Sequence, residues 1–90
     1  MYKIQPYNYS QAKKLGVTIK PSTNPKKKID VFKNNEKVAT IGAIGYKDYA
    51  TYLLEDKKVA EMKRKNYKAR HEKDRNVKNS NGYFADKILW

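Results

Sequence analysis

Two apolar runs separated by the four polar residues Asn34-Asn35-Glu36-Lys37 constrain this chain more than any other feature. Lys28-Ile29-Asp30-Val31-Phe32-Lys33 and Val38-Ala39-Thr40-Ile41-Gly42-Ala43 are rich in β-branched side chains and alternate as strands do. Asparagine tolerates the positive φ that a tight turn demands, so the spacer reads as a turn. The pattern predicts a β-hairpin over about 28–43, with Ile29 and Val31 on one face and Asp30 and Phe32 on the other. Gly42 and Gly45 bracket Ala43-Ile44 and predict a sharp exit or a close backbone approach.

Beyond the hairpin the apolar period lengthens. Ile44, Tyr46, Tyr49, Ala50 and Leu53 form a stripe on a helix of about 46–54, with Asp48 favourable in its first turn. Asp56 is the expected N-cap of a second helix at about 57–73, burying Val59, Ala60, Met62, Tyr67 and Ala69. Lys57, Arg64, Lys68 and Arg75 fall on the opposite face of that wheel. Residues 1–25 read as an irregular arm punctuated by Pro6, Pro21 and Pro25. Within it, Ser10 to Gly16 form a short helix between a cap and a stop, and Val17 to Lys20 a short strand. Asn76 to Gly82 is turn-like, and Tyr83 to Trp90 is an apolar tail that must pack into the core or a partner. The expected fold is α+β, a single compact domain in which two helices pack on a small antiparallel sheet. A length of 90 residues allows one such domain, with residues 26–90 as its α+β core.

Composition removes several functional classes. With no Cys and one His, thiolate zinc sites, disulfide scaffolds and histidine clusters are excluded, and we expect no metal or other cofactor. No apolar run approaches the ~20 residues that cross a bilayer, and the first ten residues hold no apolar core, so neither membrane insertion nor a signal peptide is expected. No Walker loop or dinucleotide fingerprint occurs. His71 has only Glu72 and Asp74 as local acids, at no spacing that singles out a general base, so we expect a binding protein and not an enzyme.

What remains is charge. The chain carries 21 Lys and Arg against 9 Asp and Glu, a formal net charge of +12. Such a body attracts polyanions, nucleic acid first. Only three of the bases are Arg, and lysine neutralises phosphates without the planar fork that reads base edges. The densest stretch, residues 57–78, holds ten bases and three acids. Candidate contact residues there are Lys63, Arg64, Lys65, Lys68, Arg70, His71 and Arg75, with Lys13, Lys14, Lys26, Lys27 and Lys28 further along the chain. The competing reading is a solvated helix laced by Glu61–Lys65 and Lys68–Glu72 pairs. Pro25-Lys26-Lys27-Lys28 reads as a phosphate-contact loop, a nuclear import signal, or a charged strand start that discourages edge pairing. Tyr46, Tyr49, Tyr52, Tyr67, Phe84 and Trp90 are expected in the core, while Tyr2, Tyr7 and Tyr9 dock the N-terminal arm.

Separated stretches carry a resemblance: AKKLGV at 12–17, IKPS at 19–22, KKKIDVF at 26–32, IGAIGYKDY at 41–49, Tyr67 with Arg70-His71-Glu72-Lys73, and GYFADKILW at 82–90. Together they resemble a group of small basic proteins encoded by large eukaryotic double-stranded DNA viruses (nucleocytoplasmic large DNA viruses). The group's two leucines before the last Trp are here Ile88-Leu89. The resemblance implies a virus-encoded protein, packaged in the virion or acting in the host cytoplasm or nucleus, and it brings no enzymatic activity with it. The resulting expectation is backbone binding of nucleic acid, DNA ahead of RNA. The alternative is a minor capsid protein bridging larger virion proteins.

Overall fold

The computed structural model describes residues 2–90. In chain order the elements are α1 (Pro6–Leu15), β1 (Thr18–Pro21), β2 (Lys27–Lys33), β3 (Glu36–Ala43), α2 (Tyr49–Glu55), α3 (Lys57–Arg70), α4 (Glu72–Arg75) and α5 (Asn81–Ile88). The strands form a three-stranded antiparallel sheet in the order β1-β2-β3, which gives the expected α+β class.

The hairpin closes on Asn34 and Asn35, both at positive φ (54° and 65°), with Lys33 opposite Glu36. A turn this short would place Val31 opposite Val38 and Ile29 opposite Thr40, setting the two alternations out of phase. A bulge corrects the register. Phe32 pairs with Lys37 but Val31 pairs with Ala39, so Val38 drops out of the ladder and is left exposed. Ile29 then meets Ile41, and Ile19 of β1 meets Val31, so that Ile19, Ile29, Val31, Ala39 and Ile41 share one face.

That face is covered by α1 and α5. Ala12 from α1 and Phe84, Ile88 and Leu89 from the C-terminal segment join Ile19, Ile29, Val31, Ala39 and Ile41 in the core. The helices expected near 46–54 and 57–73 both form, as α2 and α3, but they pack chiefly against each other. Residues 2–25 are more regular than an irregular arm, since they hold α1 and β1. The helix there starts at Pro6, earlier than a Ser10 cap would give, with proline at its first position and the Asn8 side chain accepting from the Gln5 N–H (2.8 Å). Gly16 ends it at φ 72°. The C-terminal tail is a helix because Ser80 caps it, accepting from the Tyr83 N–H, and because Phe84 and Ile88 fall one turn apart.

Two boundary shifts matter for the site. Asp48 is the N-cap of α2 and not a residue of its first turn, so Ile44 and Tyr46 precede the helix and stay exposed, Tyr46 at 75%. Asp56 caps α3 as expected, accepting from the Lys58 N–H (2.8 Å), but α3 ends at Arg70. Its inward face also differs: Met62 is exposed, while Arg64 and Lys68 turn inward beside Ala60 and Tyr67.

Three aspartates lie inside the protein: Asp30, Asp48 and Asp86. Asp48 accepts from Lys28 Nζ (3.1 Å), the Tyr2 hydroxyl (2.5 Å) and both the N–H and Oγ1 of Thr51 (3.0 Å each). Burial and this bond to a carboxylate hold the Tyr2 hydroxyl protonated far above its ordinary range. Asp30 sits on the second face of the sheet under Ser22 Oγ (2.7 Å), Thr40 Oγ1 (3.0 Å) and the Thr23 N–H (3.3 Å), with Lys37 Nζ at 3.7 Å. Burial pushes its carboxyl up, but these donors and the lysine outweigh burial and hold it below its ordinary value.

Replacing Lys28 with Met leaves the Asp48 charge buried without its cation and should cost about 3–5 kcal/mol in denaturant unfolding. The double variant K28M/D48N should recover most of that loss, and a single-variant loss below about 1 kcal/mol would show the pair to be incidental. Asp30 sets a pH dependence. Because its folded pKa lies below the unfolded value, it stabilises the fold above about pH 4 and loses that contribution as the pH falls further. Asp30→Asn should therefore be less stable than wild type at pH 7, with a shallower loss of stability below about pH 4. Parallel acid-unfolding curves for the two proteins would contradict this.

Candidate functional site

The segment that leaves β3 turns through Gly42 and Gly45, both at positive φ, and delivers Tyr46 and Lys47 in front of α2. Facing them across a gap is the side of α3 that carries Lys63, Asn66, Tyr67 and Arg70. Leu89 and Trp90 line the gap between, and the start of β2 closes it with Lys27. The result is an open cleft of about 970 Å³.

Its electrostatics are one-signed. Lys27, Lys47, Lys63 and Arg70 line it, and among the described residues no Asp or Glu does. Lys47 bonds Glu55 on the outer surface (2.6 Å), where both partners are about half exposed and such pairs are weak. Lys27, Lys63 and Arg70 enter no ion pair among the described residues.

The second property is aromatic. The Trp90 ring lies on Tyr67 at 4.4 Å between centroids and 7° between planes, and Tyr67 in turn stacks on His71 at 4.4 Å and 27°. Tyr52 stands across from Trp90 at 6.3 Å and 45°, with Lys47 and Lys63 within 5.8 Å of its ring centre. Burial raises the Tyr67 hydroxyl above its ordinary pKa, aided by Asp86 and Asp74, so the phenol is neutral at physiological pH.

The residues nominated from sequence separate into groups. Lys27, Lys63, Arg70 and His71 come together around the cleft. Lys26 and Lys65 are exposed, while Lys13 and Lys14 sit in the last turn of α1 and do not line the cleft. Lys28 also lines the cleft, but alternation along β2 turns its ammonium inward to Asp48 and it is only 4% exposed, so its charge is already taken. Lys68 is held by Asp86 (2.6 Å). Arg64 packs its guanidinium over the Tyr49 ring (4.6 Å), and Arg75 Nε donates to the Lys68 carbonyl (3.2 Å). The helix-surface pairs expected of Glu61 and Glu72 are absent among the described residues. Glu61 instead accepts from the Tyr49 hydroxyl, a bond that with burial raises that phenol's pKa.

Sequence reasoning missed Lys47 and assigned Tyr52, Tyr67 and Trp90 wholly to the core. All three aromatics are only partly buried, in contrast to Tyr49 and Phe84. The single lysine between Tyr46 and Asp48 carried no signal of its own, since its placement depends on where the cap of α2 falls.

No curated protein and no solved structure gives a significant match to the sequence. Residues 17–71, from just before β1 to the end of α3, match the model of a family of unknown function, DUF5754; they make up more than half of the chain, which therefore belongs to that family.

Proposed function

We propose that this protein binds nucleic acid through its phosphates, with the cation-lined cleft as the contact surface and the exposed Lys26 and Lys65 adding charge outside it. The observation that carries this reading is that, among the described residues, no Asp or Glu lines a cleft ringed by Lys27, Lys47, Lys63 and Arg70. A net charge of +12 alone would fit any polyanion. A concave strip of cations, three of them in no ion pair among the described residues, is the shape that follows a phosphate backbone, and mobile lysines suit that task better than base readout. Within the virus-encoded group that the chain resembles, the ligand to expect is the genome, DNA ahead of RNA.

The reading makes a quantitative prediction. If about six phosphates are neutralised, log affinity for a duplex should fall against log salt with a slope of roughly −5. Lys27→Ala, Lys63→Ala and Arg70→Ala together should weaken binding at least about tenfold at ~50 mM salt and make the slope shallower by about 2.7. These side chains make no ion pair among the described residues, so the triple variant should stay folded. Lys13→Ala with Lys14→Ala, away from the cleft, should have the smaller effect. Fluorescence anisotropy on labelled DNA reads all of these. A salt-insensitive complex, or a triple variant that binds like wild type, would overturn the proposal.

A further inference from the structure

We infer that the cleft takes an unpaired nucleotide, so that the protein prefers a single strand to a duplex; this rests on the phosphate-binding reading above and adds to it the chemistry of the base. A surface that merely tracks a duplex backbone needs cations and no aromatic rings, because the bases of a duplex are stacked on each other and present only their edges. This cleft has both. The column of Trp90, Tyr67 and His71 forms one side, and Tyr52 stands tilted across from Trp90. None of the four is fully buried, although Leu89, directly before Trp90, is 2% exposed. Tyr67 is sandwiched between Trp90 and His71, so the aromatic surface that packing leaves open belongs to the other three rings.

The arrangement has the two parts that single-strand recognition uses. Aromatic faces accept any base by stacking, and cations beside them hold the flanking phosphates. Lys63 reaches both, since it lies over Tyr52 and lines the same wall as Arg70, while Lys27 stands at the opposite side. A volume of about 970 Å³ leaves room for a base with its sugar and phosphate.

Trp90 is the only tryptophan, so its emission reports on the cleft directly. The full chain is titrated with oligothymidylate of ~12 nucleotides, a length within single-strand site sizes, with the same strand annealed to oligoadenylate, and with thymidine monophosphate. The oligothymidylate should quench Trp90 and bind about tenfold more tightly than the duplex, a difference within the range that stacking provides. The mononucleotide should bind far more weakly than the strand, because it brings one phosphate. Tyr52→Leu, checked for folding by circular dichroism, should lose about five- to tenfold in single-strand affinity while duplex affinity stays within about twofold. Equal anisotropy-detected affinity for strand and duplex with unchanged Trp90 emission would overturn this inference and leave the phosphate reading standing. Binding of neither would overturn both, and a mononucleotide that quenches as tightly as the strand would reassign the cleft to free nucleotides. The wild-type comparison decides the matter without any variant.

Discussion

The buried carboxylate of Asp48 is the point at which the N-terminus, the sheet and the helical half of the protein meet. A charge so placed is costly unless it is paired and fully hydrogen-bonded, and four donors from Tyr2, Lys28 and Thr51 supply this. Each donor constrains a different piece of chain. Lys28 can reach inward only because residue 42, across the strand pair, is a glycine. A Cβ there would lie 2.8 Å from Lys28 Cδ and 2.9 Å from Leu89 Cδ1, and its φ of 79° already disfavours a side chain. Thr51 fixes the first turn of α2 on the same carboxylate. Tyr49, the residue after Asp48, donates its N–H to the Leu89 carbonyl (3.1 Å), so the pair that anchors α2 also anchors the C-terminal segment.

Charge is distributed by the same logic. Asp30, Asp48 and Asp86 are three of the nine acids, and all three are spent inside the fold. Their cationic partners are Lys37 for Asp30, Lys28 for Asp48, and Lys68 and Lys87 for Asp86, of which only Lys28 is buried. The surface is thereby left more one-signed than composition alone implies. Self-repulsion is the consequence, and in water it is softened by screening and by the mobility of exposed lysines. In a cleft with protein on both sides the screening is weaker, so that is where the excess has most effect on an approaching anion.

The hairpin and its turn were legible because alternation and asparagine each point to one structure. The caps at Asp48 and Asp56 were legible because a short acidic residue before an apolar period has few other uses. Ser10 misled because it is an equally good cap, and only Asn8, which bonds the Ile88 carbonyl 80 residues away in sequence, shows why the helix begins earlier. The site was harder to read. Along β2 the period places Lys28 on the face of Asp30, yet a run of three lysines looks uniformly solvated until a buried acid is known. Along α3 charge was equated with exposure, whereas Arg64 and Lys68 lay their stems inward and end on Tyr49 and Asp86. Long-range partners of this kind leave no local trace.

The C-terminal residues show how the cleft acquires its rigidity. Ile88 and Leu89 are core residues, and Trp90 immediately after them forms the cleft wall. An aromatic at the end of a free tail would have to be ordered whenever it met a ligand, at a cost of roughly 0.5–1.5 kcal/mol for the side chain alone. Here the backbone is held at every step. The Ile88 carbonyl accepts from Asn8 Nδ2 (2.8 Å), the Leu89 carbonyl from the Tyr49 N–H (3.1 Å), and the Trp90 carbonyl from the Tyr7 hydroxyl (3.2 Å). With Tyr67 stacked on its face, the Trp90 ring is positioned before anything binds. The helix that supplies Asn8 and Tyr7 lies outside the densest basic stretch, yet it sets the geometry of the cleft. A substitution at Asn8 would act on the cleft through the Ile88 carbonyl and the ring two residues beyond it, even though Asn8 itself touches no part of the cation-lined surface.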